Sequence, residues 1–203
     1  MRFLARPQAA AKAPGACAWI VHRDRPGATV AGPTTADLAD AAAVPAADGG
    51  AARLWRRRLL RTLAAHWLEV APRDLVFERD AGAARIVAPR RCFVSAASRG
   101  VWSVVAVGRA RIGVDLELAG AEIELYASAR GIAPEAACRR WTATEACAKA
   151  TGLELDATEA LIEGLQGEPG RICGAGLPEL EIAYAAFPGG LAAAAFPPEP
   201  VRA

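Results

Sequence analysis

The stretch IGVDLEL, residues 112–118, places two carboxylates in an otherwise apolar run. Its composition is typical of a β-strand, and side chains two residues apart on a strand point to the same face. Asp115 and Glu117 are therefore predicted to lie side by side. Two like charges that close resist burial, so either a positive group neutralises them or this end of the strand faces water.

Further elements are predicted on both sides of this strand from hydrophobic spacing and from capping residues. Helices are expected over 34–48, capped by Thr34 or Thr35, over 51–70, over 134–151, starting at Pro134, and over 156–164, capped by Asp156. Strands are expected over 17–22, 75–79, 85–87, 92–96, 101–107, 111–117, 179–185 and 190–196.

These elements predict an α+β protein, because short strands of antiparallel type and a long helix occur once in each half of the chain. The two halves are expected to be pseudo-symmetric, each a small antiparallel sheet packed on a long helix. The predicted boundary separates an N-terminal lobe, residues 1–108, from a C-terminal lobe, residues 109–203.

Composition narrows the class of protein. The chain has 203 residues, of which 53% are hydrophobic, and no apolar stretch approaches the roughly 18–20 residues that span a bilayer. Pro7, Lys12 and Pro14 interrupt any signal-peptide core, so no signal peptide is predicted. Five cysteines without C-x-x-C spacing argue against disulfides or a zinc site and favour a reducing compartment. We therefore expect a cytoplasmic protein without a membrane partner.

The charge balance disfavours nucleic acid as a partner, because the net charge is only +2. An arginine-rich nucleic-acid module at 53–61 stays a third hypothesis, which salt-dependent binding would support. For at least half of the arginines at 56, 57, 58 and 61, the simplest interpretation is a solvated helix face. The chain contains 22 arginines but only two lysines, Lys12 and Lys149.

The second notable stretch is RRWTATEACAKATG, residues 139–152. Trp141, Glu145 and Lys149 are four residues apart and share one helical face. Glu145 and Lys149 alone predict a surface pair worth about 0.2–0.5 kcal/mol. A tryptophan usually packs, however, and a compact ammonium suits a point contact with phosphate. Asp115 and Glu117 similarly fit either an exposed strand edge or a hard cation such as Mg²⁺.

In this order, IGVDLE and W-x-x-x-E-A-x-x-K-x-x-G resemble the signature of the 4′-phosphopantetheinyl transferases, in particular the monomeric two-lobed type. CFVSAASRGVWSVVAV (92–107) resembles that family's strand pair upstream of the motif. The segment 57–87 resembles its long helix and following strand, and GLAAAAF (190–196) its closing strand. The resemblance covers about residues 50–196, and only the D-x-E and W…E…K blocks are specific.

The resemblance implies the 4′-phosphopantetheinyl transferase fold and a defined reaction. Members transfer the phosphopantetheine arm of coenzyme A to a serine of an acyl or peptidyl carrier protein and release 3′,5′-ADP. By position, Asp115, Glu117 and Glu145 would bind Mg²⁺, and Glu145 would also be the general base. Lys149 would contact or protonate the departing phosphate. The candidate contacts to coenzyme A are Arg57, Arg85, Ser98 and Lys149, and the protein is expected to be a monomer.

Several positions depart from the family pattern. Its phosphate-binding histidine falls on Ala97, its lysine before the glutamate is Thr144, and its G-K-P turn is Gly82-Ala83-Ala84. Each lost charge-assisted contact is worth roughly 1.5–3 kcal/mol, which Arg85, Arg99 or the arginines at 56–61 could compensate. A catalytically weakened member that binds coenzyme A or a partner without transfer is therefore the alternative.

The segment between the two motifs is also short, since only 27 residues separate Glu117 from Glu145. In the family this spacer includes helical structure beside the surface that docks the carrier protein. Leu125 and Tyr126 within it are either docking residues or core residues, and the core is the simpler prediction.

Overall fold

The computed structural model describes residues 9–13, 15–24, 30–43, 50–80, 83–162, 171–172 and 179–198. Its helices are α1 Thr35–Ala42, α2 Gly50–Leu68, α3 Ala121–Arg130, α4 Pro134–Thr151 and α5 Leu155–Ile162, with a 3₁₀ turn at Pro72–Asp74. Its strands are β1 Ala9–Ala13, β2 Ala16–His22, β3 Val76–Asp80, β4 Ala83–Ala88, β5 Cys92–Arg99, β6 Trp102–Gly108, β7 Gly113–Leu118, β8 Arg171–Ile172, β9 Leu180–Phe187 and β10 Gly190–Phe196. The α+β class with antiparallel sheets is confirmed.

The first sheet has six strands in the order β1-β2-β6-β5-β4-β3, and every neighbouring pair is antiparallel. Helix α2 covers one face of it, because its apolar residues recur at helical spacing. The interface is a core of buried side chains from both elements: Leu59, Leu60, Leu63, Ala64 and Leu68 of the helix, and Val94, Val105 and Val107 of the sheet.

Arg61 does not belong to the solvated helix face that was predicted for at least half of the arginines at 56, 57, 58 and 61. Its side chain is only 5% exposed and donates hydrogen bonds to both carboxylate oxygens of Asp37, at 2.9 and 3.0 Å. Thr34 is the N-cap of α1 and accepts from the Asp37 backbone N–H. The buried ion pair therefore joins α1 to α2, and a charge in the sequence has become part of the core.

The second sheet has four strands in the order β7-β10-β9-β8, again antiparallel. Helix α4 packs on one face of it. Small side chains make this interface close: Ala143, Ala146, Cys147 and Ala150 of the helix lie against Leu180, Ile182, Ala193 and Ala195. Alanine, abundant throughout the sequence, allows the helix to approach the strands.

The two sheets pack against each other through their remaining faces. Val114 and Leu116 of β7 and Ala192 and Ala194 of β10 lie in one buried cluster with Ala18, Ala97, Val104 and Ala106 of the first sheet. Since strand side chains alternate, the intervening residues of β7 face helix α4 instead. The expected lobe boundary at 108/109 falls between β6 and β7, and the two sheets share this apolar cluster.

Several local predictions were wrong at the margins. Helix α3 occupies a segment for which the residue pattern predicted no helix, although the resemblance implied helical structure there. Its Leu125 is 74% exposed, so Leu125 is not a core residue. Asp156 lies in the first turn of α5, which begins at Leu155, rather than capping it. Strands β1 and β8 were also not predicted. Residues 44–48 and 163–164 of the expected helices lie outside the described residues.

None of the helices in the described ranges is both long and apolar enough to cross a membrane. Cys92, Cys138 and Cys147 are buried free thiols and Cys17 is also buried, whereas Cys173 falls in a segment that the structure does not describe. Burial raises the pKa of Cys92 to about 11 and that of Cys147 to about 12, so these two thiols stay protonated at neutral pH.

Candidate functional site

The site lies where helix α4 crosses strand β7, and Gly113 makes the crossing possible. A Cβ atom at Gly113 would lie 1.9 Å from the carbonyl oxygen of Ala146 and 2.6 Å from the backbone nitrogen of Ala150. Only glycine therefore lets the helix backbone lie against the strand here. This close approach brings the acids of the strand to the polar face of the helix.

Asp115 meets Lys149 across this interface. The Lys149 Nζ lies 2.6 Å from Asp115 Oδ1 and 3.4 Å from an oxygen of Glu145, one helical turn away. Asp115 is 95% buried, whereas about a third of the Lys149 side chain and a fifth of the Glu145 side chain are exposed. The predicted trio of Asp115, Glu145 and Lys149 is thus assembled at the edge of the core, within reach of a ligand.

Burial dominates the ionisation of Asp115. It raises the pKa of the carboxyl to about 6, against the opposing effect of the Lys149 ammonium, and the nearby charges of Glu145 and Glu117 raise it further. Its second oxygen, Oδ2, is buried without a hydrogen-bond partner in the described part of the chain. A buried carboxylate oxygen without a hydrogen-bond partner destabilises the folded state, so a further cation that bound this oxygen would be favourable.

Glu117 has different partners. Arg99, at the end of β5, donates from Nε to one carboxylate oxygen at 2.9 Å and from Nη2 to the other at 2.8 Å. Trp141 of α4 donates its indole N–H to Glu117 at 3.2 Å. Asp115 and Glu117 do share a face, as predicted, but each has its own cation. The question raised by two neighbouring acids is therefore answered, within the chain, by Lys149 and Arg99.

A second polar cluster supports Trp141 from the other side. The Tyr126 ring lies 5.3 Å from the Trp141 ring, and its hydroxyl donates to Glu159 of α5. Arg130 also donates to Glu159, at 2.6 Å, and Arg140 lies 3.5 Å from it. Burial, together with the Glu159 hydrogen bond, raises the pKa of Tyr126 to about 12. These contacts tie α3, α4 and α5 together behind the site, and Tyr126 is half-buried there.

The other candidate contacts to coenzyme A are not brought to this cluster. Arg57 lies on α2, on the opposite face of the first sheet from β7, 3.1 Å from Asp40. Ser98 points to that same face, where its hydroxyl lies 2.9 Å from the Ser103 hydroxyl. Arg85 pairs with Glu78 at 3.3 Å and lies opposite Phe93, roughly 20 Å along β5 from Arg99.

Two of the positions that depart from the family pattern, Ala97 and Thr144, are buried. Ala97 belongs to the apolar cluster between the sheets, and Thr144 is fully buried, with its hydroxyl donating to the Arg140 carbonyl. Neither position could hold a long cation without changing the local packing. Arg99 follows Ala97 by two residues on the same face of β5. That spacing is the feature by which the sequence could have distinguished Arg99 from the other candidate arginines.

Of the three acids predicted to bind Mg²⁺, two have carboxylate oxygens that fit a metal ion. Across the described ranges, no three acidic, histidine or cysteine side chains are grouped as a metal site. Mg²⁺, however, is commonly bound by one or two carboxylates together with substrate phosphates. Asp115 Oδ2, which has no hydrogen-bond partner among the described residues, and the partly exposed carboxylate of Glu145 fit that pattern. Glu117 fits it less well, because both of its oxygens already accept hydrogen bonds.

Comparison with known proteins adds no assignment. No protein-family model matches the chain, and a search of curated proteins finds no match either.

Proposed function

We propose that the chain is a Mg²⁺-dependent 4′-phosphopantetheinyl transferase that modifies a serine of an acyl or peptidyl carrier protein. The observation that carries the proposal is the convergence of Asp115 with Glu145 and Lys149. These residues belong to two motifs about thirty positions apart, which were singled out from the sequence in the same roles. We expect the protein to act as a monomer in the cytoplasm, without a nucleic-acid or membrane partner.

In the proposed reaction, the serine oxygen of the carrier forms a bond to the phosphorus that bears the pantetheine arm of coenzyme A. The bond from that phosphorus to the bridging oxygen breaks, and 3′,5′-ADP leaves with that oxygen. Glu145 accepts the proton of the serine hydroxyl, since its side chain is partly exposed beside the cluster. Lys149 donates an N–H to the departing phosphate, where its positive charge offsets the charge that develops.

Asp115 and Glu145 would hold Mg²⁺, which when bound neutralises part of the charge of the pyrophosphate. Asp115 also keeps Lys149 in place through their 2.6 Å contact. Phosphoryl transfer depends mainly on positioning and charge neutralisation, which are the roles proposed for these residues.

The test is intact-mass spectrometry of a panel of apo carrier proteins incubated with the chain, coenzyme A and Mg²⁺. We expect a mass gain of one phosphopantetheine arm that is lost with EDTA and with Glu145→Gln. Glu135→Gln, an exposed position on the same helix, is the matched control and should keep the activity. If no carrier gains mass while circular dichroism shows a folded protein, the transferase proposal is wrong.

The second candidate is a member of the fold that binds coenzyme A or a partner protein without transfer. It is favoured by the buried positions of Ala97 and Thr144, which leave the site with fewer cations than the family pattern. Calorimetric titration with coenzyme A separates the two candidates. Binding with no mass gain on any carrier would support the second, and a mass gain would exclude it.

A further inference from the structure

The side chain of Arg99 is placed unusually for half of a buried ion pair. It is 48% exposed, whereas the side chain of its partner Glu117 is only 5% exposed. The Arg99 guanidinium therefore lies at the surface of the site, and the Glu117 carboxylate lies beneath it. An arginine that a buried carboxylate holds at the entrance of a site has a restricted side-chain orientation, because fewer of its rotamers are available.

The hydrogen bonds of Arg99 leave one edge of the guanidinium available. The contact with Glu117 is made side-on, by Nε and one N–H of Nη2. Arginine has five N–H groups, so both N–H groups of Nη1 and the second of Nη2 remain on the outer edge. No described residue accepts a hydrogen bond from Nη1. That edge has the geometry that binds two oxygens of a phosphate at once.

Both carboxylate oxygens of Glu117 are occupied by hydrogen bonds. One of its oxygens accepts from Arg99 Nε, and the other accepts from both Arg99 Nη2 and the Trp141 indole. To bind a metal ion directly, the carboxylate would have to give up part of this network. Oδ2 of Asp115, in contrast, accepts no hydrogen bond from any residue that the structure describes.

We infer that Arg99 binds a phosphate group of the ligand and that Glu117 is a positioning residue for Arg99, not a metal ligand. Arg99 supplies the cation that the buried Ala97 and Thr144 cannot, and Lys149 supplies the second cation of the site. This inference rests on the proposed function in one respect, since it needs a phosphate-bearing ligand such as coenzyme A.

The test is a double-mutant cycle on ligand binding, measured by calorimetry at saturating Mg²⁺ with coenzyme A and separately with inorganic pyrophosphate. Arg99→Ala should weaken binding about tenfold to a hundredfold, the range of one charge-assisted contact. Arg99→Lys should recover only part of the lost affinity, because a compact ammonium lacks the planar set of N–H donors that can bind Glu117 and a phosphate at the same time. Arg90→Ala, at an exposed turn before β5, is the matched control and should bind as the parent does.

The cycle separates positioning from metal binding. Glu117→Gln should weaken binding severalfold in the parent chain but add nothing in the Arg99→Ala background. If its effect is equally large in both backgrounds, Glu117 acts independently of Arg99 and the positioning role is overturned. Melting temperatures are recorded for every variant. Arg99→Ala alone leaves the buried Glu117 carboxylate unpaired and can destabilise the fold. The double variant, Arg99→Ala with Glu117→Gln, removes both charges, so binding can still be compared in a folded protein.

The remaining outcomes separate this inference from the proposed function. If Arg99→Ala binds coenzyme A as tightly as the parent and the parent still modifies a carrier, only the role of Arg99 is wrong. If the folded parent binds neither coenzyme A nor pyrophosphate, both the proposed function and the role of Arg99 are wrong.

Discussion

The ammonium nitrogen of Lys149 lies 2.6 Å from Oδ1 of Asp115, joining helix α4 to strand β7 at the centre of the candidate site. A second cation, Arg99, holds Glu117 in the same way from the neighbouring sheet. With Glu145 included, three acids meet two cations, so the ionised cluster carries one net negative charge. The cluster is thus nearly neutral within the chain and still has an excess of carboxylate for a metal ion.

Replacing Gly113 should disrupt the contact between helix and strand. In Gly113→Ala the new Cβ would meet backbone atoms of Ala146 and Ala150, which cannot rotate away, so α4 must shift. We expect a loss of about 1–3 kcal/mol in the free energy of unfolding, measured with urea, together with weaker coenzyme A binding. Gly32→Ala, where no described residue other than its chain neighbours lies within 4 Å of the new Cβ, should change stability by less than about 0.5 kcal/mol. Equal effects at the two glycines would contradict the close approach.

The raised pKa of Asp115 should make stability depend on pH. The pKa of this carboxyl rises from 3.8 in the unfolded chain to about 6 in the folded protein, so between these two pH values the folded state binds the proton more tightly than the unfolded state. The contribution of this carboxyl to the free energy of unfolding therefore falls as pH rises through that window. Asp115→Asn removes the effect, so the variant should gain stability relative to the parent, by at most roughly 3 kcal/mol, between about pH 4 and about pH 7.

The measurement is urea unfolding of both proteins in EDTA across that pH range. Asp74→Asn, at an exposed carboxylate, is the matched control for the loss of one acid. A stability difference between Asp115→Asn and the parent that stays constant with pH would show that Asp115 ionises normally.

The buried pair of Arg61 and Asp37 should be essential to the N-terminal half. Arg61→Ala leaves the Asp37 carboxylate buried without its main partner, which typically costs about 3–5 kcal/mol. Arg73→Ala removes an arginine whose side chain is 89% exposed, and it should leave the melting temperature unchanged. A similar melting temperature for both variants would mean that the buried pair contributes no more than a surface arginine.

Truncation to alanine should have very different effects on stability at Leu63 and at Leu125. Leu63 is fully buried between α2 and the first sheet, and Leu63→Ala should lower the free energy of unfolding by about 2–5 kcal/mol. Leu125 is largely exposed on α3, so Leu125→Ala should change stability by less than about 0.5 kcal/mol. Because Leu125 was also a candidate docking residue, modification of the carrier should be measured for the same variant. Slower modification with unchanged stability would indicate docking.

Local patterns in the sequence determined much of this protein. The bounds of α4, with Pro134 in its first turn and Gly152 as a left-handed C-cap, match the prediction, and β10 covers 190–196 as expected. The shared face of Asp115 and Glu117 follows from strand alternation alone. Helix and strand periodicities depend on near neighbours, so they can be predicted without knowledge of the partners. Helix α3 was missed because its exposed Leu125 breaks the apolar spacing that would indicate an amphipathic helix.

Only the tertiary structure decided which charges meet. Arg61 became a core residue, Arg99 became the partner of Glu117, and Arg57 was placed on the far side of the first sheet. In a chain with 22 arginines, composition cannot single out the one that faces a given acid. Ion pairs between residues 18 to 34 positions apart depend on how sheets and helices pack. That packing was set by apolar and small residues, Gly113 among them, rather than by the charges themselves.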